Sequence, residues 1–123
     1  MKIHDKFYLV TILTTLVTRI IVYFNPVPSP TVSGFRLHHW MYGAAGVLVC
    51  LLIRRRYKNP LLLGAAMGVF LDEVGYILIN GKTHEDNYSP LSFILIMVFE
   101  VILFVYRKTI MDLYMKESKR RSK

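Results

Sequence analysis

Cysteine, glycine, proline and charged residues are all scarce in this sequence of 123 residues. Cys50 is the only cysteine, so no disulfide can form within the chain and a disulfide-stapled scaffold is excluded. Seven glycines and five prolines are too few for a collagen-like fibre, and a 54% hydrophobic composition excludes disorder. Only 20% of the residues are charged. With a mean hydropathy of +0.39, the chain is dominated by apolar residues.

The apolar residues are concentrated in four runs, which short polar segments separate. Each run approaches the roughly 20 residues that a helix needs to cross the hydrocarbon core of a bilayer. The runs predict an all-α, polytopic integral membrane protein, a four-transmembrane-helix bundle that forms one domain over residues 1–123. The predicted spans are residues 7–24, 35–53, 61–80 and 91–110, and a basic tail follows at residues 112–123.

Basic residues are distributed unequally between the two sides of such a bundle. If the N-terminus is cytoplasmic, thirteen of the 16 Lys and Arg residues lie on the inner side, Arg36 and Lys82 lie on the outer side, and Arg19 lies within a span. This asymmetry follows the positive-inside rule. We therefore predict a multi-pass protein of a cell membrane (plasma or inner membrane) with both termini cytoplasmic. The basic tail suits anionic lipid headgroups. Nucleic acid is not an expected partner, because no nucleic-acid-binding motif accompanies the charge.

Every predicted span carries an ionisable side chain in its outer half. Such residues are costly in hydrocarbon, so we expect them to face one another rather than lipid. Counting about 1.5 Å per residue gives depths below the outer edge of about 6–7 Å for His38 and His39, about 8 Å for Arg19, about 10–12 Å for Asp72 and Glu73, and about 13 Å for Glu100.

Small residues at helical spacing predict which faces are interior. In the second span, His39, Gly43 and Gly46 share one face. In the third span, Gly68 and Asp72 share another. Small residues at this spacing let two helices approach closely. The polar side chains on these faces are therefore predicted to point into the bundle.

The charges of this polar cluster do not balance. Arg19 is a candidate partner for Asp72, but the three carboxylates exceed it by two negative charges. Protonated carboxylates, a histidinium with Arg36, or a divalent transition metal such as Zn, Mn or Fe would remove the excess. No HExxH or Glu-x-x-His signature is present, so the cofactor stays unknown. The predicted metal ligands are His39, Asp72, Glu100 and, from the outer loop, His84.

Two classes of function fit these features. The first is a small membrane enzyme, with or without a metal, acting on a lipid-like or outer-leaflet substrate. Glu73 and His38 would then be catalytic, with His39 as ligand or base, and Arg19 and Arg36 would bind the substrate. The second is a non-catalytic accessory or assembly subunit of a membrane complex, or a small proton- or cation-coupled transporter. The expected partners are the lipid bilayer and a second copy or larger membrane complex.

Overall fold

The computed structural model describes residues 1–25, 30–82 and 84–116, and it is mostly helical. Its class is all-α, as predicted, with one two-stranded hairpin between the first two helices. The elements are α1 (Ile3–Phe24), β1 (Thr31–Val32), β2 (Phe35–Arg36), α2 (His39–Ile53), α3 (Pro60–Asp72), α4 (Val74–Leu78), α5 (His84–Asn87) and α6 (Pro90–Lys116).

Two of these helices, α1 and α6, are long and apolar enough to cross a membrane, with 22 and 27 residues. By contrast, α2 and α3 are apolar but contain only 15 and 13 residues. At 1.5 Å per residue, α2 is about 22 Å long, which is less than the roughly 30 Å thickness of a hydrocarbon core.

The hairpin replaces the predicted beginning of the second span. Residues 35–38 were expected to be helical, but Phe35 pairs with Val32 and α2 begins only at His39. Ser33 and Gly34 form the turn with φ values of 51° and 80°. Positive φ at both central residues of a two-residue loop gives the turn whose twist matches that of paired strands.

The predicted third span is interrupted where α3 ends at Asp72 and α4 begins at Val74. Between them, Glu73 has φ −104° and ψ 3°, outside helical geometry. The two acidic side chains bond in different directions: Asp72 reaches Arg19 on α1, whereas Glu73 reaches His39 on α2. The break allows two adjacent residues to form ion pairs with two different helices.

Close contacts between helix backbones place α3 between α1 and α2. A Cβ atom added at Gly64 would lie 2.7 Å from the carbonyl oxygen of Phe7, and one at Gly68 would lie 2.6 Å from that of Thr11. On the other side of α3, a Cβ at Gly43 would collide with the backbone of Phe70. The small residues therefore lie where the helices meet, as their spacing predicted.

Polar contacts define the two ends of the bundle. At one end, Arg107 bonds to Asp5, and the backbone N–H of Asn59 donates to the hydroxyl of Tyr114. We call this the terminal end, because the beginning of α1 and the end of α6 lie there. The opposite end carries the β-hairpin and α5, and we call it the hairpin end.

Candidate functional site

Arg19 occupies the centre of a buried polar network near the hairpin end. It projects from α1 and is 6% exposed. Its Nη1 donates to the Asp72 carboxylate at 3.1 Å and to the Asp72 carbonyl oxygen at 2.8 Å. Its Nη2 donates to the carbonyl oxygen of Asn87. One guanidinium thus joins α1 to the end of α3 and to the end of α5.

Two aromatic rings cover the same guanidinium. Its central carbon lies 5.0 Å from the ring centre of Tyr88 and 4.4 Å from that of Phe93, within the range of cation–π attraction. Arg19 was predicted to bind an anionic substrate, and that stays a prediction. In the described structure its guanidinium contacts Asp72, backbone oxygens and these two rings, and it thereby connects helices.

Tyr88 completes the network from the loop before α6. Its hydroxyl donates to the carbonyl oxygen of Arg19 at 3.2 Å. Burial, and then the negative charge of Asp72, raise the pKa of Tyr88 to about 12. The phenol therefore keeps its proton at neutral pH, and it keeps this donor role.

Glu73 and His39 form a second pair beside the first. The Glu73 carboxylate accepts from Nδ1 of His39 at 3.1 Å and from the backbone N–H of Trp40 at 3.3 Å. Glu73 is 6% exposed, whereas the His39 side chain is 34% exposed. A buried carboxylate that holds Nδ1 fixes the ring and its tautomer, which leaves Nε2 as the nitrogen that can exchange a proton or bind a ligand.

His38 and Arg36 lie outside this pair. His38 immediately precedes α2, and its ring centre lies 6.2 Å from that of Tyr76. Arg36 is exposed on β2. Glu73 and His38 were both predicted to be catalytic, and that stays a prediction; in the described structure His39, the first helical residue, contacts Glu73. His38 has extended backbone geometry before the helix begins, with φ −100° and ψ 156°.

Glu100 is held elsewhere, at the contact between α1 and α6. Its Oε1 accepts from the hydroxyl of Thr15 at 3.1 Å. Its Oε2 is buried and has no hydrogen-bond partner among the described residues. Within the described residues, Glu100 forms no hydrogen bond with the Arg19–Asp72 pair or with the His39–Glu73 pair.

The three predicted metal ligands whose side chains the structure describes form no common cluster. Within residues 1–25, 30–82 and 84–116, no group of three His, Cys, Asp or Glu side chains is arranged to hold an ion. Asp72 is paired with Arg19, His39 with Glu73, and Glu100 with Thr15. The fourth predicted ligand, the side chain of His84, lies outside the described atoms.

Comparison of the chain with protein-family models, with curated proteins and with solved structures gave no match. Its chemistry is therefore argued from its own residues.

Proposed function

We propose that this chain is a four-span protein of a cell membrane whose His39–Glu73 pair exchanges protons with a lipid-like substrate at the outer surface. In this proposal both termini are cytoplasmic, and the hairpin end faces outward. Arg36 and Lys82 are then the basic residues on the outer side, as the positive-inside rule requires.

Apolar side chains on the outside of the bundle support a membrane location. Along α6 the large exposed residues include Ile94, Met97, Val98, Val101 and Val105, each at least 47% exposed. Soluble proteins seldom expose contiguous apolar patches of this kind without a partner. Lipid is the partner that covers such surfaces on every helix at once. The spans through α2 and α3–α4 are shorter, and the hairpin and α5 extend them at the outer side.

The observation that carries the catalytic part is the buried carboxylate of Glu73 behind a half-exposed His39. When Nε2 takes a proton from a substrate, the ring becomes an imidazolium, and the adjacent carboxylate stabilises that charge. Glu73 is a positioning residue in this scheme, and His39 is the group that touches the substrate. Arg36 lies three residues before it in sequence, is exposed, and is available to contact a polar headgroup.

The metal prediction belongs to the same site. Metal-ligating histidines usually donate their second ring nitrogen to a carboxylate, as Nδ1 of His39 does to Glu73. Nε2 would then be the ligand atom. Because no three His, Cys, Asp or Glu side chains of the described residues form a metal site, the further ligands would come from elsewhere. The enzyme proposal does not depend on this ion, because a His–carboxylate pair is itself an acid–base group.

The test is a search for lipid conversion by the purified protein. Wild type would be placed in nanodiscs made from the polar lipids of the expression host, and the lipids would be followed by mass spectrometry. We expect one lipid class to be consumed, and Glu73→Gln or His39→Gln to slow its loss by roughly 10²–10⁴-fold. His38→Gln is the matched control, because in the described structure Glu73 contacts His39 instead, and it should keep most of the activity.

Two results would count against the proposal. Lipids unchanged relative to empty nanodiscs would favour an accessory or transport role. Equal activity of wild type and Glu73→Gln would remove the pair from the chemistry. Elemental analysis of wild type beside His39→Gln tests the ion separately, because a stoichiometric metal lost in the variant would identify His39 as its ligand.

A further inference from the structure

A lateral groove runs along the contact between α1 and α6. Its deeper stretch has a volume of about 320 Å³ and is lined from Tyr8 to Arg19 on α1 and from Phe93 to Val101 on α6. An outer stretch of about 390 Å³ continues past Arg19 to Tyr23 and Tyr88. Leu16 and Phe93 border both stretches, so the two stretches adjoin and form one groove on the outside of the bundle.

Apart from Tyr8, Thr15, Arg19 and Glu100, the residues that line the deeper stretch of this groove are apolar. Met97 and Val101 are 66% and 60% exposed at its rim, so a molecule dissolved in the membrane reaches it without crossing a water layer. About 320 Å³ lies within the size range of small-molecule pockets. Tyr8 and Arg19 are eleven positions apart on α1, which gives the deeper stretch a length of roughly 16 Å. These dimensions suit a single hydrocarbon chain.

Glu100 lines the groove with an incomplete set of hydrogen bonds. The Thr15 hydroxyl that reaches its Oε1 at 3.1 Å also lies 3.0 Å from the Thr11 carbonyl oxygen and 3.2 Å from that of Gly68. A hydroxyl has one hydrogen, so it serves only one of these three acceptors well at a time. The other oxygen, Oε2, has no donor within the described residues. Oε2 therefore lacks a donor within the described residues, and Oε1 competes with two carbonyl oxygens for a single hydroxyl hydrogen.

Glu100 also lacks a positive partner. The charge of Arg19 is matched by Asp72, and Glu73 is matched by His39 when the ring is protonated. Among the described side chains, none with a positive charge forms an ion pair with Glu100. A carboxylate in apolar surroundings needs either a proton or a cation. The groove in front of it gives a cation from the membrane a route to this position.

We propose that this groove binds a single-chain amphiphile that carries a protonated amine, with the hydrocarbon chain along α1 and α6 and the ammonium group against Glu100. An ammonium group supplies both the positive charge and the N–H donors that Glu100 lacks. The Arg19 charge does not oppose this binding strongly, because Asp72 and the two aromatic rings already surround it. This site is separate from the His39–Glu73 pair, so either proposal can fail alone.

The test uses radiolabelled dodecylamine and protein in nanodiscs of zwitterionic lipid at neutral pH, with empty nanodiscs as background. We expect saturable binding to wild type, and at least tenfold weaker binding to Glu100→Gln. Unlabelled dodecanol has the same chain and a hydroxyl donor but no charge, and it should compete at least tenfold less well than unlabelled dodecylamine. Glu85→Gln removes an exposed acidic residue of α5 and should bind as wild type does.

A second variant fills the groove without touching the carboxyl. Met97→Trp changes an exposed rim residue, so it keeps the fold and should abolish binding of dodecylamine. This variant decides the question if Glu100→Gln unfolds. Binding that is unchanged in Met97→Trp, or that dodecanol displaces as well as dodecylamine does, overturns the proposal. The absence of saturable binding to wild type overturns it as well.

Discussion

Among the described residues, the buried carboxylates Asp72 and Glu73 each have a local basic partner. Arg19 and Asp72 lie 3.1 Å apart with side chains that are 7% and 0% exposed, respectively. Removing one partner of a buried pair leaves the other charge desolvated and uncompensated, which is more costly than replacing both by apolar groups. Each residue of the pair is therefore needed for stability mainly because the other is charged and buried.

Arg19→Met and Asp72→Leu should each lower the free energy of unfolding by about 3–5 kcal/mol. The double variant should be more stable than either single one, although it stays below wild type because the Asp72 and Asn87 carbonyl oxygens lose their donor. The measurement is unfolding in mixed detergent micelles. Strict additivity of the two effects would contradict the pairing. The partly exposed pair Asp5–Arg107 is the control and should show less coupling, because solvent screens it more than the buried pair.

At this scale the sequence predicted which residues matter better than it predicted their partners. Depth and face identified Asp72 as an interior carboxylate and Arg19 as its candidate partner, and they are paired. The carbonyl oxygen of Asn87, which Arg19 also bonds, carries no sequence signal because every residue has one. Three of the predicted metal ligands, His39, Asp72 and Glu100, contact different partners in the described structure, and their sequence spacing does not report those partners.

Individual elements are held together by contacts between backbones. The contact of α3 with α1 depends on glycine, since the Thr11 carbonyl oxygen lies where a side chain at Gly68 would begin. Alanine favours a helix over glycine by about 1 kcal/mol, so propensity alone would make Gly68→Ala stabilising. Overpacking opposes it by about 1–3 kcal/mol.

We expect overpacking to exceed propensity in Gly68→Ala and the variant to lose about 1–2 kcal/mol of stability, since backbone atoms on α1 cannot rotate away. Thermal unfolding in detergent measures it. Ala45→Gly, on the exposed face of α2, is the control that reports propensity alone. A higher melting temperature for Gly68→Ala would mean that α1 and α3 are further apart than described.

Element boundaries were predictable only where the apolar pattern decides them. The first and fourth predicted spans correspond to α1 and α6, because long apolar runs determine these helices. Both helices extend beyond the predicted spans. The Ser33-Gly34 pair is a recognised turn signal, and it could have identified the hairpin. The break at Glu73 has no such signal. It follows from Asp72 and Glu73 pairing with different helices, which is decided only in the folded protein.

At the scale of the whole molecule, the distribution of basic residues predicts the orientation of the bundle in a membrane. The basic segment at residues 54–58 lies at the terminal end with the beginning of α1, where Asn59 contacts Tyr114. Lys82 lies beyond α4, toward the hairpin end. If the positive-inside rule holds, these two ends lie in different compartments.

Accessibility of single cysteines tests this orientation. In a Cys50→Ala background, Lys82→Cys should react with an impermeant maleimide on intact cells, because the proposed topology puts this exposed loop residue on the outer side. Tyr57→Cys is the matched site at the other end, also exposed, and it should react only after permeabilisation. The opposite pattern would reverse the topology and move the His39–Glu73 pair to the cytoplasmic side.

The Arg19 network joins an early part of the chain to parts that are synthesised later. Arg19 emerges from the ribosome long before its partners, because Asp72 lies 53 residues and Asn87 lies 68 residues further along the chain. At about 5–20 residues per second, the delay is roughly 3–14 s. If α1 enters a membrane, as proposed, an unpaired guanidinium opposes that entry by about 2.5–3.5 kcal/mol during this interval. Stable insertion of α1 would then wait until Asp72 and Asn87 have been synthesised.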